Sequence, residues 1–334
     1  MKTKQTSPIV RTLPWIGAGI AVGAGALALS AFRAGLSIRG KVTASALVPL
    51  MDRRKRFRNA ETLDQAIAQN RAAGPALPSA AMRRRFLIDE EDRHGMRTFA
   101  VRPKIGGAKA TILYLPGGGY TFHPIAAHWT LIAGLAEQTG ATIIVALFPL
   151  APEHDWEDGF RSLTGLYRDL LDQRGEDALF IVGDSAGGGL ALALAQQWQV
   201  DGLTLPNGLL LFSPFCDGTV SDPAQCELAR TDHMLTIDGA REAARRWAGK
   251  LPLNDRHVSP LFGSIAGLPP MLVIAGSHDI LFSDANRLQD RAGADGVDLT
   301  LHRYPGMFHV FPAVGIPEGR KALRQAGDFV RLLM

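Results

Sequence analysis

Short apolar runs alternating with segments of helical periodicity constrain this chain more than any other feature in it. The runs 111–115, 142–148, 179–182, 208–212, 271–275 and 299–304 read as strands, and the segments 160–173, 188–198 and 284–294 between them space their apolar residues as helices do. Apolar strands joined by helical crossovers pair in parallel and require helices on both faces of the sheet. Upstream, residues 85–89 and 96–101 flank a polar turn ending in Gly95, the pattern of a hairpin. An α/β chain with a mostly parallel central sheet flanked by helices is therefore expected, with its ligand at the carboxyl ends of the strands.

The chain has 334 residues, 46% of them hydrophobic and 20% charged, enough for a sizeable core in one large or two smaller domains. Its formal charge of +4 is modest, but basic residues crowd near the N-terminus. Arg33, Arg39, Lys41, Arg53, Arg54, Lys55, Arg56 and Arg58 have only Asp52 among them. That is a local basic patch on a chain of ordinary balance, and no nucleic-acid partner is expected. Two cysteines, Cys216 and Cys226, are too few for a disulfide framework or a metal cluster, although one bridge between them stays open.

Residues 12–32 carry no charge, and as a helix they would extend roughly 31 Å, close to the hydrocarbon thickness of a bilayer. We expect residues 1–32 to be an uncleaved membrane anchor, the run being longer than a usual signal core. A cleaved signal peptide is the alternative, favoured by Lys2, Lys4 and Arg11 before the run and by Ala26 and Ala28 near its end. Residues 33–82 follow as a basic helical arm, either solvated or a lid that touches anionic headgroups.

The turn after the run 179–182 reads Gly183-Asp-Ser-Ala-Gly187, with a strand before it and a helix after it. In that context G-x-S-x-G is a nucleophile elbow, whose small residues allow a sharp turn that exposes the hydroxyl of Ser185. Such a serine needs an acid and then a histidine further along the chain. Asp279 in Gly276-Ser-His-Asp279 and His309 in Gly306-Met-Phe-His309 follow successive expected strands in that order. His309 would take the proton of Ser185 and Asp279 would orient the imidazole. Asp284 is the rival acid but falls inside the following helix, where capping is its expected role. His154, His233, His257, His278 and His302 read as structural or exposed.

Three glycines follow the first central strand in Leu115-Pro-Gly-Gly-Gly-Tyr120. They match neither phosphate-binding pattern, having no Lys-Ser/Thr after them and no G-x-G-x-x-G spacing. Bare backbone can approach a reacting carbonyl closely, so Gly117 and Gly118, with the N–H of Ala186, are expected to form an oxyanion hole.

Taken in order, Leu115–Tyr120, Phe148-Pro-Leu-Ala-Pro-Glu-His154, Gly183-Asp-Ser-Ala-Gly-Gly188, Ser259-Pro-Leu-Phe-Gly263 and the segments around Asp279 and His309 resemble the hormone-sensitive-lipase family of α/β-hydrolases. The resemblance covers about residues 85–334. It implies an α/β-hydrolase fold with a helical cap and a carboxylesterase acting on short- to medium-chain acyl esters, without cofactor or metal. It divides the chain into a core over 83–213, a cap insertion over 214–255 and a second core part over 256–334, with the arm contributing to the cap. Candidates for the acyl pocket are Leu47, Val48, Leu50, Met51, Phe215, Met234, Leu235 and Trp247. The same triad would serve an amidase or lactonase, and the same fold serves receptors that have lost catalysis. One departure stands out: the family usually has His where this chain has Pro116, and His123 is a possible substitute.

Overall fold

In the computed structural model, residues 30–31, 35–50, 54–55, 58–107 and 109–334 are described. The uncharged run 12–32 lies outside them except for Ser30 and Ala31, as do Arg33, Met51, Arg53 and Arg56. Among the described residues no helix is long and apolar enough to cross a membrane.

One sheet of eight strands organises the molecule in the order β1-β2-β4-β3-β5-β6-β7-β8. The strands are β1 Phe86–Arg93, β2 Met96–Pro103, β3 Ala110–Leu115, β4 Thr142–Leu147, β5 Ala178–Asp184, β6 Gly208–Phe212, β7 Met271–His278 and β8 Leu299–Phe308. β1 and β2 form the expected hairpin, and β2 pairs antiparallel with β4. From β4 across to β8 every pairing is parallel. The hairpin turns on His94 and Gly95, with φ of 54° and 72°. Two positive φ angles give a two-residue turn the twist that matches its strands.

Two boundaries differ from the reading of the sequence. Arg85 ends a short helix, Ala80–Arg85, capped by the Ser79 hydroxyl at the Met82 N–H, so β1 begins one residue later. β8 runs through Pro305 and Gly306 to Phe308, where a Pro-Gly pair ordinarily signals a turn. A shift of register between Gly276 and His278 accommodates the pair, and Met307 packs its carbonyl against Gly276, where a Cβ would lie 2.3 Å from that oxygen.

The strands alternate their side chains between two cores. Leu113, Leu115, Leu209 and Leu211 face one side with the helices Trp156–Gln173, Ala186–Val200 and Phe282–Asp295. Ile112, Tyr114, Leu210 and Phe212 face the other with Ala126–Thr139 and Pro317–Leu332. This period of two, with apolar residues on both faces, is what a sheet covered on both sides requires.

Between β6 and β7 the chain makes an insertion containing the helices Ala224–Leu228 and Ile237–Ala248. The arm helix Ala60–Ala73 reaches it through an ion pair from Arg246 to Asp64 (2.6 Å). Arg71 of the same helix donates to the carbonyls of Thr121 (2.8 Å) and Ala151 (2.9 Å) and pairs with Glu153. Cys216 is buried, Cys226 is exposed, and both are free thiols, so the bridge left open by the sequence is not made.

Candidate active site

Four strands deliver the residues just beyond their ends to one edge of the sheet. Gly117 follows β3, Ser185 follows β5, Asp279 follows β7 and His309 follows β8. Ser185 sits between strand and helix at φ 55°, ψ −123°, outside the usual regions for a residue with a side chain. The glycines of the motif make that turn possible. A Cβ on Gly183 would lie 2.2 Å from the Gly187 carbonyl oxygen, and one on Gly187 would lie 2.0 Å from that of Leu115. Backbone bonds clamp the strained residue, its N–H donating to the Phe212 carbonyl (2.8 Å) and its carbonyl accepting from Phe215 (2.9 Å).

The three side chains expected to act together are joined by hydrogen bonds. His309 Nε2 lies 2.9 Å from Ser185 Oγ, and Nδ1 lies 2.8 Å from Asp279 Oδ2. An ionised carboxylate only accepts, so Nδ1 carries the proton and Nε2 is left to accept from the serine. The second oxygen of fully buried Asp279 accepts from Leu281 N–H (2.9 Å). Burial disfavours the imidazolium, but the charge of Asp279 and its hydrogen bond, then Asp232 and Asp184, outweigh it and raise His309 above the ordinary histidine value. Ser213, buried at the end of β6, accepts from the Val310 N–H (3.2 Å) and steadies the turn after His309, where Val310 takes φ 49°.

The glycine loop differs from the expectation in one donor. Gly117 gives its N–H to Asp184 Oδ1 (3.1 Å), inside the protein. Among the described residues the N–H groups of Gly118, Gly119 and Ala186 have no hydrogen-bond partner. Gly118, at φ 137°, and Gly119, at φ 59°, hold conformations that suit glycine. The loop's bracing explains how it does without the usual histidine. Asp184 takes a second bond from the Tyr114 hydroxyl and lies 3.3 Å from His128 Nε2. His128 Nδ1 accepts from the Ile125 N–H (2.9 Å), which leaves the proton on Nε2, facing Asp184. Burial works against charge on Asp184, yet His128, Tyr114 and the Gly117 N–H hold its pKa below the usual carboxylate value. Among the described residues no hydrogen bond joins the imidazole of His123, the substitute left open by the sequence, to the glycine loop; its backbone N–H donates to Asn70 (2.7 Å).

Asp284 does not cap its helix, whose N-cap is Leu281. Its buried carboxylate accepts from the N–H groups of Cys216 (2.9 Å) and Asp217 (3.0 Å), pinning the start of the insertion. His257 and His154 are held by Asp255 and Asp158. Of the acyl-pocket candidates, Leu47 and Leu50 are exposed, whereas Phe215 and Trp247 are buried beside the glycine loop. Tyr120, directly after the glycines, stacks on Trp247 with centroids 4.8 Å apart and lies 6.2 Å from Phe215.

Asp232, Asp184, His128 and Ser213 belong to the site and were not singled out in the sequence. Only Asp184 carried a signal there, as a charge closing an otherwise apolar strand.

Known proteins agree with this architecture. A family model described as alpha/beta hydrolase fold matches residues 112–313. An esterase of Acinetobacter venetianus is 31% identical over 231 residues, 68% of this chain and 76% of its own length. An acetyl-hydrolase of Streptomyces hygroscopicus is 34% identical over 229 residues, 66% of this chain and 75% of its own. The crystal structure of a hormone-sensitive lipase from a metagenome library superposes with a TM-score of 0.75 at 32% identity, covering 81% of this chain and 93% of that one. The sheet order, the residues gathered at its carboxyl edge and these relatives make the chain a member of the hormone-sensitive-lipase family of α/β hydrolases, a carboxylic ester hydrolase.

Proposed function

We propose that the protein hydrolyses short- to medium-chain acyl esters through an acyl-serine intermediate. The hydrogen-bonded sequence Ser185 Oγ, His309, Asp279 carries this reading. Ser185 Oγ attacks the ester carbonyl while His309 Nε2 takes its proton, and Asp279 stabilises the imidazolium. The carbonyl oxygen becomes an oxyanion held by the N–H groups of Gly118, Gly119 and Ala186, with Gly117 reassigned to bracing the loop. Collapse of the tetrahedral intermediate breaks the bond to the alkoxide, which leaves with the proton from His309. Water then adds to the acyl-serine, giving a proton to His309, and the acid departs as Ser185 regains its proton. No step needs a cofactor or metal.

The acetyl-hydrolase relative supports short acyl groups, as do the bulky Tyr120, Phe215 and Trp247 around the loop. Hydrolysis of p-nitrophenyl esters from acetate to palmitate is the test. Activity falling off beyond medium chains, and lowered about 10³-fold or more in Ser185→Ala, is expected. Equal rates in the variant would refute the mechanism, and a preference for palmitate would refute the chain length.

We also propose that the N-terminal segment brings the enzyme to a membrane surface. The uncharged run 12–32 supports it, as do exposed Ile38, Leu47 and Leu50 beside Arg39 and Lys41 in the arm. Full-length protein should float with anionic vesicles in a density gradient; recovery from the bottom fraction would exclude the contact.

A further inference from the structure

We propose that Asp232, in the insertion between β6 and β7, is a positioning residue for the Asp279–His309 pair, holding the Asp279 loop by its backbone and setting a second carboxylate beside it. The inference rests on reading Ser185, Asp279 and His309 as the triad.

Asp232 is fully buried, and its two oxygens do different work. Oδ1 accepts from the N–H groups of Met234 (2.7 Å) and Leu235 (2.9 Å), closing a local turn ahead of the helix Ile237–Ala248. Oδ2 accepts from the N–H of Ile280 (2.9 Å), 48 residues away and adjacent to Asp279. The local turn alone needs one oxygen, and an asparagine would serve it equally. The second oxygen is committed to the triad loop. A carboxylate hidden beside another is unfavourable unless something offsets it. Burial and then Asp279 push Asp232 up to about 6, against the pull of its three N–H bonds.

Two consequences follow for His309. The Ile280 bond fixes the peptide after Asp279, and with it the direction from which that carboxylate meets Nδ1. Asp232 also adds negative charge that favours the imidazolium, in company with Asp279 and Asp184. Other titratable groups surround the pair: His128 faces Asp184, and Lys41 and His233 face His278, next to Asp279.

Asp232→Asn isolates the proposal. Its oxygen keeps the local turn while its NH₂ confronts the Ile280 N–H, donor against donor, and the charge is gone. The expected result on a p-nitrophenyl ester is a kcat lowered on the order of 10²-fold with KM within about twofold. The acid limb of kcat/KM should move to lower pH, because the imidazolium has lost one supporting charge. Replacing the Ile280 peptide N–H by an ester oxygen removes the backbone tie and keeps the Asp232 side chain, while weakening the Asp279 carbonyl that accepts from the Phe282 N–H (3.0 Å). In that variant kcat should fall while the acid limb moves less than in Asp232→Asn, because the carboxylate is still there. A folded Asp232→Asn with wild-type kcat and acid limb would overturn the proposal. Should Asp232→Asn not fold, the ester variant decides, and an unchanged kcat overturns it. Ser185→Ala, run alongside, separates this failure from failure of the triad reading, which would leave that variant active.

Discussion

Gly117 has no room for a side chain, since a Cβ there would lie 2.5 Å from Asp184 Oδ2 and 2.6 Å from the Asp184 carbonyl oxygen. Gly117→Ala must push the loop away from its brace, and kcat/KM for a p-nitrophenyl ester should fall about 10²- to 10³-fold, as on loss of an oxyanion donor. Asp184 itself is a carboxylate whose pKa is depressed on folding. Its contribution to stability is present above the unfolded value near 3.9 and is lost as pH falls through the lower folded value. Asp184→Asn should therefore melt earlier than wild type at pH 7, by calorimetry, and lose less of its melting temperature on acidification below about pH 4. His309 shifts the other way. Its raised value stabilises the fold below the unfolded histidine value of 6.5 and ceases to do so as pH rises through the folded one, whereas the base role proposed for it needs the neutral ring. The acid limb of kcat/KM should thus have its midpoint above 6.5; a midpoint below it would show that burial prevails over Asp279. The three glycines look alike in the sequence, so nothing there distinguished the donor that braces from the donors left free. The distinction comes from Asp184, a carboxylate brought in from another strand.

Arg71 ties one element to two others: its guanidinium spans the carbonyls of Thr121 and Ala151 and the carboxylate of Glu153, so the arm helix Ala60–Ala73 is fastened to the segment just after the glycines. Arg71→Lys keeps the charge but not the fork, and it should cost about 1.5–3 kcal/mol in urea unfolding while lowering kcat/KM. Local patterning made most elements legible. β6 was readable end to end, because five apolar residues are bounded by polar turn residues. β8 was cut short at Tyr304, because a Pro-Gly pair means a turn unless a neighbouring strand absorbs it, and β7 does. Asp284 stands in the first turn of its helix, where an acid commonly serves the helix itself. Long-range packing redirects it to Cys216 and Asp217, a contact that no local pattern records.

Across the whole molecule, alternation of strand and helix was enough to foresee a sheet with its chemistry at the carboxyl edge. Ser185 could be named from its G-x-S-x-G turn, and Asp279 and His309 from their order in the loops beyond the next expected strands. Asp232 and His128 could not, since only the closed fold brings them to that edge. The insertion is not a separate folding unit: Trp247, fully buried, belongs to the same core as Leu163, Leu190 and Leu209 and meets Phe148 edge-on at 6.1 Å. Trp247→Ala should cost about 3–5 kcal/mol, and circular dichroism and residual activity should be lost together on heating. A fold that outlasted the activity by many degrees would mean that the insertion melts by itself.

β8 is the last strand in the chain and lies at the edge of the sheet, and it alone delivers His309. During synthesis at about 5–20 residues per second, β3 to β7 can assemble with the serine already on its strained turn. The nascent protein at that stage has Ser185 without its His309 partner, and an unpaired β7 edge open to other strands. Ser185 therefore gains its His309 partner only in one late event, the docking of a single edge strand.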